Sequence, residues 1–121
     1  MSRVPVDITF RHIQPTGWIK ELIEEQADKL HQHAGAIHRV EVTVDLPQHH
    51  SRKGDHFEVR IVMHVDHMKE QTVSATSEDN ESDQLRTTIH EAFHQAERMM
   101  RRKLERRRDL RRTPAPGKGD D

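Results

Sequence analysis

The sequence contains no cysteine, no tyrosine and a single tryptophan, and none of its apolar runs approaches the length of a membrane helix. Without cysteine there is no disulfide framework, no thiol nucleophile and no thiolate metal site. A membrane helix needs roughly 20 consecutive apolar residues, and the N-terminal segment also lacks the apolar core of a secretory signal. These absences predict a cytoplasmic protein with no membrane partner. The length of 121 residues predicts one domain.

Hydrophobic residues are scarce as well. They make up 31% of the 121 residues, aromatic residues make up 3%, and the mean hydropathy is −1.00. This composition lies near the range of disordered chains. The apolar residues are nevertheless strongly patterned, which disordered chains rarely show. The sequence therefore predicts a thin-cored domain over residues 1–108 and a disordered tail over residues 109–121.

The apolar pattern predicts the element order β-α-β-β-β-α. Period-two alternation predicts strands, and helical spacing predicts two helices, the first beginning after an N-cap at Thr16. The predicted strands are Val4–Phe10, residues 39–46, Phe57–Val65 and Gln71–Ser77, and the predicted helices are Gly17–His33 and Asp83–Arg108. Each strand has one apolar face and each helix one apolar stripe, so we expect an α+β fold in which a four-stranded mixed sheet carries both helices on one face. The first crossover predicts that strands one and two are parallel.

The net charge of −1 conceals a division along the chain. Residues 1–97 carry 10 basic and 17 acidic side chains, whereas residues 98–112, named here the basic segment, carry 9 basic and 2 acidic ones. Cations near a helix C-terminus complement the helix dipole, but that effect fades within one turn. Eight of the nine are arginines, which suit bidentate contacts to phosphate. The basic segment therefore predicts a polyanionic partner.

The arginines of the basic segment are not interleaved with aromatic residues. We therefore expect contacts to phosphates and to groove shape rather than base stacking. Trp18, in the first turn of the first helix, is expected at the rim of the core rather than as a binding platform. A module that binds an acidic protein is an alternative that the same charge pattern leaves open.

His90, Glu91 and His94 match the H-E-x-x-H motif on a predicted helix. Two histidines four residues apart can bind one Zn²⁺, and the glutamate can activate a metal-bound water. In one protease class a glycine and a third histidine extend the motif, but Glu97 replaces that glycine here and the third histidine is absent. Carboxylate ligands are available from Glu97 and Glu105, although both lie on the same helix as the motif. A small zinc hydrolase is therefore an alternative, and two solvated histidines on a helix flank are the favoured interpretation.

The element order and several short matches resemble one family. The matches are Asp28-Lys29-Leu30, Arg39–Val44, Pro47–Gly54 followed by Phe57–Ile61, Leu85, Thr88-Ile89, Ala92-Phe93 and Arg98. Over about Val4–Arg108 the chain resembles the ribosome hibernation promoting factors, also called ribosome-associated translation inhibitors or sigma-factor modulation proteins. It is similar to their short form, which has no C-terminal dimerisation domain.

The resemblance implies a non-enzymatic protein with no cofactor, no metal and no small-molecule substrate. Its implied partner is the small ribosomal subunit with its ribosomal RNA, whose messenger and transfer RNA channel such proteins occupy in stress or stationary phase. Arg86 stands where family members commonly carry an aromatic residue, and Glu21, Glu24 and Glu25 replace residues that are often basic in the family. The residues implied in RNA binding are Lys29, Arg86, Arg98, Arg101, Arg102, Lys103 and Arg106.

Overall fold

The computed structural model describes residues 4–47 and 56–112. In chain order its elements are β1 (Val6–Arg11), α1 (Gly17–His33), β2 (Ile37–Asp45), β3 (Glu58–Val65), β4 (Gln71–Thr76) and α2 (Ser82–Arg112). This is the predicted α+β fold with the predicted element order. The matched segment 48–55, rich in histidine and basic residues, lies outside the described residues.

The four strands form one sheet in the order β1-β2-β3-β4. β1 and β2 are parallel, with Val6 opposite Val40, and this confirms the pairing predicted from the first crossover. β2, β3 and β4 are joined in antiparallel pairs, so the sheet is mixed. Between β3 and β4 the chain turns within a few residues, and His67 adopts φ 60° there.

Both helices pack on the same face of the sheet, as the apolar stripes predict. α1 contacts β1 and β2, α2 contacts β3 and β4, and the two helices contact each other. Along β2, Val40, Val42 and Val44 are buried under this helix layer, while Glu41 and Thr43 point to the other face and are partly exposed. The sheet therefore has one covered face and one face open to solvent, which is ordinary for a largely antiparallel sheet.

The core lies between the sheet and the helix layer. α1 supplies Ile19, Leu22, Ile23, Ala27 and Leu30, and α2 supplies Leu85, Ile89, Ala92, Phe93, Ala96 and Met100. A fully buried aliphatic or aromatic side chain contributes about 1.5–3 kcal/mol relative to an exposed one. The low hydrophobic content is sufficient because nearly all of it is placed in this single layer.

The structure shifts one end of two expected elements and confirms Thr16 as the N-cap residue of α1. α2 continues to Arg112, so residues 109–112, expected in the disordered tail, are helical, in keeping with the high helix propensity of arginine and leucine. β1 begins after Pro5 because proline lacks an N–H, although the Pro5 carbonyl accepts a hydrogen bond from the Val40 amide at 3.0 Å. Thr16 occupies the N-cap position of α1, but its hydroxyl makes no capping hydrogen bond. Residues 113–121, the rest of the expected tail, lie outside the described residues.

Neither of the two helices in the part of the chain that the structure describes is long and apolar enough to cross a membrane.

Candidate nucleic-acid interface

The sequence of α2 divides the helix into a buried stripe and a cationic surface. Ile89, Phe93 and Met100 face the sheet, and the arginines that follow Glu97 lie mostly on the outer side of the same helix. Among the side chains of α2 that the structure describes, the exposed cations are Arg86, Arg98, Arg101, Arg102, Arg106 and Arg108, while Lys103 and Arg107 are partly buried. Since the helix presents most of these side chains to solvent, they are available to an external ligand.

A groove of about 560 Å³ separates α1 from α2 on the outer side of the helix layer. Residues from both helices line it, among them Lys29, His33, His90, His94, Glu97 and Arg98. The two helices lie side by side over the sheet, and this arrangement brings Lys29, near the end of α1, to the groove that Arg98 of α2 also lines. Two of the predicted RNA-binding residues from distant parts of the sequence therefore share one surface.

The Glu97 carboxylate lies within this cationic surface. The Arg101 guanidinium donates a hydrogen bond to Glu97 Oε2 at 2.7 Å, and His33 Nε2 lies 3.8 Å from the same oxygen. Among the residues that the structure describes, no carboxylate lies within ion-pair distance of Arg98, Arg102 or Arg106. These three guanidiniums therefore keep all their donors free for a bound anion.

The last turns of α2 are attached to the turn between β3 and β4. The Arg107 guanidinium donates a hydrogen bond to the Asp66 carbonyl at 3.0 Å. Met68 lies beside Lys103, Arg106 and Arg107, and together these four side chains line a shallow depression. This contact attaches the C-terminal part of α2 to the β3–β4 turn, and the depression that Lys103 and Arg106 line there is separate from the interhelical groove.

The acidic residues of α1 line other parts of its surface. Glu21, Glu24, Glu25 and Asp28 line a separate depression together with Lys29 and Gln32. Glu24 and Asp28 also face Val4 and Val6, on the β1 side of the helix, away from α2. Lys29 therefore marks the border between an acidic outer surface of α1 and the groove shared with α2.

The open face of the sheet carries charged side chains of both signs, and several of them lie close together. Arg39 contacts Asp7 at 2.7 Å and Glu41 at 3.1 Å, and the hydrogen bond and charge of Asp7 raise the pKa of Arg39 above its ordinary value. His38 lies 2.8 Å from Asp66, and His64 lies 3.3 Å from Glu41. Asp7 and Glu41 therefore pair with Arg39 on this face, whereas Arg98, Arg102 and Arg106 on the helix face pair with no carboxylate among the described residues.

The H-E-x-x-H motif lies on the wall of the interhelical groove. His90, Glu91 and His94 are all exposed, and all three line the groove. Within residues 4–47 and 56–112, no group of three or more histidine, aspartate and glutamate side chains is arranged to hold a metal ion. The placement of the motif gives its histidines a position next to Lys29 and Arg98.

Arg86 is separated from the other predicted RNA-binding residues. It precedes Thr87, the first residue of α2 that lines the groove, and its guanidinium carbon is 4.9 Å from the centre of the Trp18 ring. Trp18 was expected at the rim of the core. Its side chain is 36% exposed, and among the described residues it is the large hydrophobic side chain that is exposed. The reason is its position one residue before buried Ile19, which turns the indole towards α2 rather than towards the sheet.

Sequence reasoning did not identify His33 or Trp18 as members of this surface. Both lie on the flank of α1 that also carries Gln26 and Lys29, because residues spaced by 8, 11 and 15 positions return to nearly the same side of a helix. The sequence spacing therefore shows that these residues share one side of α1. Whether that side faces α2 depends on how the two helices pack, which a helical wheel of α1 alone does not show.

Comparisons with known proteins agree with this architecture. Residues 6–108 match the family described as sigma 54 modulation protein / S30EA ribosomal protein. The N-terminal domain of Protein Y from Thermus thermophilus is similar in structure, with a TM-score of 0.64 and 16% identity over 84% of this chain and 98% of that one. A ribosomal subunit interface protein from Coxiella burnetii has a TM-score of 0.60 and 15% identity over 84% of this chain and 99% of its own. A sequence comparison with curated proteins finds no significant match.

Proposed function

The chain belongs to the sigma 54 modulation protein / S30EA ribosomal protein family, and from this premise we propose that it is a cytoplasmic, non-catalytic protein that binds the small ribosomal subunit. In this proposal the protein occupies the channel used by messenger and transfer RNA and inhibits translation by excluding them, in stress or stationary phase. The name of the Coxiella burnetii protein, which places it at the ribosomal subunit interface, supports this location.

The observation that carries the proposal is a set of arginines on one side of α2 that pair with no carboxylate among the described residues. Arg98, Arg102 and Arg106 recur every four residues along the helix, so their side chains form a row with a repeat of about 6 Å. Arginine binds phosphate oxygens bidentately, and a row of this kind suits successive phosphates of an RNA backbone. Lys29 and Arg101 extend the row across the groove to α1, and Lys103 extends it towards the β3–β4 turn.

Binding of this kind is dominated by phosphate contacts and therefore depends on salt. A protein that neutralises several phosphates releases their counterions, so its affinity falls steeply as the salt concentration rises. Sequence-independent contacts are sufficient for this function, because the shape of the RNA channel, rather than a base sequence, selects the site.

Co-sedimentation with ribosomes through a sucrose gradient tests the proposal. We expect the protein to sediment with the small subunit at low salt. Its affinity should fall on the order of a thousandfold when the salt concentration is raised from about 50 to 200 mM. A protein that stays at the top of the gradient at both salt concentrations would refute the proposal.

Glu97→Gln is expected to tighten ribosome binding about two- to tenfold. The change removes a negative charge from the cationic surface and releases Arg101 from its ion pair, while the loss of a surface pair costs less than about 1 kcal/mol of stability. Titration of labelled small subunits measures the effect. Glu58→Gln removes the same charge from the open face of the sheet and should leave the affinity unchanged. Weaker binding by Glu97→Gln would contradict the assigned role of this surface.

A further inference from the structure

The contact between Trp18 and Arg86 is the part of the helix layer that phosphate binding does not explain. Trp18 is 36% exposed, so part of its apolar surface remains in contact with water at a cost in free energy. Arg86 is exposed and lies over the indole ring at 4.9 Å from its centre, in the geometry of a cation–π contact. The ring is therefore held in place by Arg86 and remains accessible to solvent.

The surroundings of this pair are open. A side-chain carbon added at Gly17, the neighbour of Trp18, would meet no other atom within 4 Å. Thr87, which follows Arg86, and His90, one turn further along α2, both line the interhelical groove. Trp18 and Arg86 do not line this groove themselves; the pair lies next to its Thr87 end, and the groove continues from there to Lys29 and Arg98.

The chemistry of the pair fits a nucleobase with its attached phosphate. An indole face stacks on any base, and a guanidinium that lies over a ring keeps its edge N–H groups free to donate to phosphate oxygens. A base is uncharged, so stacking on Trp18 does not require the dense positive charge found at the other end of the groove. From Arg86 to Arg98 the helix rises roughly 18 Å, a distance that a few nucleotides of single-stranded RNA can cover.

Resting on the proposed function, we infer that Trp18 and Arg86 form a stacking site for one unpaired base of the bound RNA, and that the RNA strand continues from it along the interhelical groove to Lys29 and Arg98. This inference departs from the expectation that the protein binds RNA without base stacking. It assigns Trp18 a binding role, and it assigns Arg86 the two roles of holding the indole and contacting the adjacent phosphate.

The fluorescence of Trp18 provides the test, because the sequence contains one tryptophan and no tyrosine. The full chain is titrated at low salt with a single-stranded RNA of about twelve uridines carrying a terminal dye, so that anisotropy reports binding and indole emission reports stacking. Inorganic polyphosphate, which has the charges but no bases, is the matched ligand. We expect the RNA to quench the emission strongly and polyphosphate to bind without comparable quenching. Unchanged emission at saturating RNA, equal quenching by polyphosphate, or failure to bind the RNA would overturn the inference.

Two pairs of variants separate stacking from structure. Trp18→Leu keeps an apolar side chain but removes the π face and should weaken binding of the RNA about five- to a hundredfold, whereas Trp18→Phe should recover most of the affinity. Arg86→Gln should weaken binding severalfold, and Arg60→Gln, on the open face of the sheet, should not. Circular dichroism verifies that each variant is folded. Unaltered RNA binding by Trp18→Leu would refute the stacking site.

Co-sedimentation of the same variants distinguishes this inference from the proposed function. If the wild-type protein binds ribosomes but shows neither quenching nor an effect of Trp18→Leu, the stacking site is wrong and the proposed function stands. If the wild-type protein does not bind ribosomes, the proposed function fails whatever the fluorescence shows.

Discussion

The double variant Arg98→Glu, Arg102→Glu is expected to bind small ribosomal subunits at least about a hundredfold more weakly than the wild-type protein. Each arginine is exposed and free of an ion pair among the described residues, so the replacements remove two phosphate contacts and add two repulsive charges. A hydrogen bond to a charged group is worth about 1.5–3 kcal/mol, and 1.4 kcal/mol corresponds to a tenfold change in affinity. Equilibrium titration with labelled subunits measures the loss.

The same variant should also depend less on salt. Each lost phosphate contact reduces the slope of log affinity against log salt by about 1, so the double variant should lose about 2 from that slope. Arg11→Glu, Arg60→Glu changes the net charge equally at exposed arginines of the open sheet face and should keep both the affinity and the slope. Equal losses in the two double variants would mean that net charge, rather than this surface, controls binding.

Ile89→Ala is expected to have the largest effect on stability. Ile89 is completely buried where α2 packs on β3 and β4, and its truncation leaves a cavity in a thin core. Substitutions of this type cost about 2–5 kcal/mol, and a domain of this size has a total stability of about 5–15 kcal/mol. At about 4–8 °C for each kcal/mol, the melting temperature should fall by roughly 8–40 °C.

Met99→Ala is the matched control for Ile89→Ala. Met99 lies on the same helix, about three turns after Ile89. Its side chain is only partly buried against the core. Its truncation should therefore cost less than half as much, as measured by thermal and urea denaturation of both variants. Equal losses would contradict the division of α2 into a buried stripe and a solvent-facing surface.

The fold was predictable because its signals are local and periodic. The alternation of Val40, Val42 and Val44 and the helical spacing of Ile89 and Phe93 each fix which face of an element is buried, and the structure confirms the order and the helix layer that follow from them. The family resemblance is likewise confirmed by the match over residues 6–108. The end of α2 was not predictable, because an arginine-rich stretch is compatible both with a helix and with a solvated tail.

The candidate site was predictable only in part. The basic segment could be found by counting charges, but its connection to Lys29 depends on the packing of α1 against α2. The pairing of Arg101 with Glu97 follows from their four-residue spacing, whereas the contact between Trp18 and Arg86 joins residues 68 positions apart. The exposed carboxylates of α1 line a depression that is separate from the groove shared with α2. This separation depends on the packing of the two helices and could not be predicted from the sequence.

The proposed contact between the cationic side of α2 and ribosomal RNA in the channel of the small subunit is directly measurable, because the sequence contains no cysteine. A single cysteine introduced as Glu105→Cys on the basic segment, or as Ser74→Cys on the open sheet face, can carry an iron chelate that generates hydroxyl radicals. With bound subunits, we expect the probe at position 105 to cleave the RNA that lines the messenger and transfer RNA channel, and the probe at position 74 to cleave it far less. Cleavage elsewhere on the subunit from position 105, or stronger channel cleavage from position 74, would contradict the account.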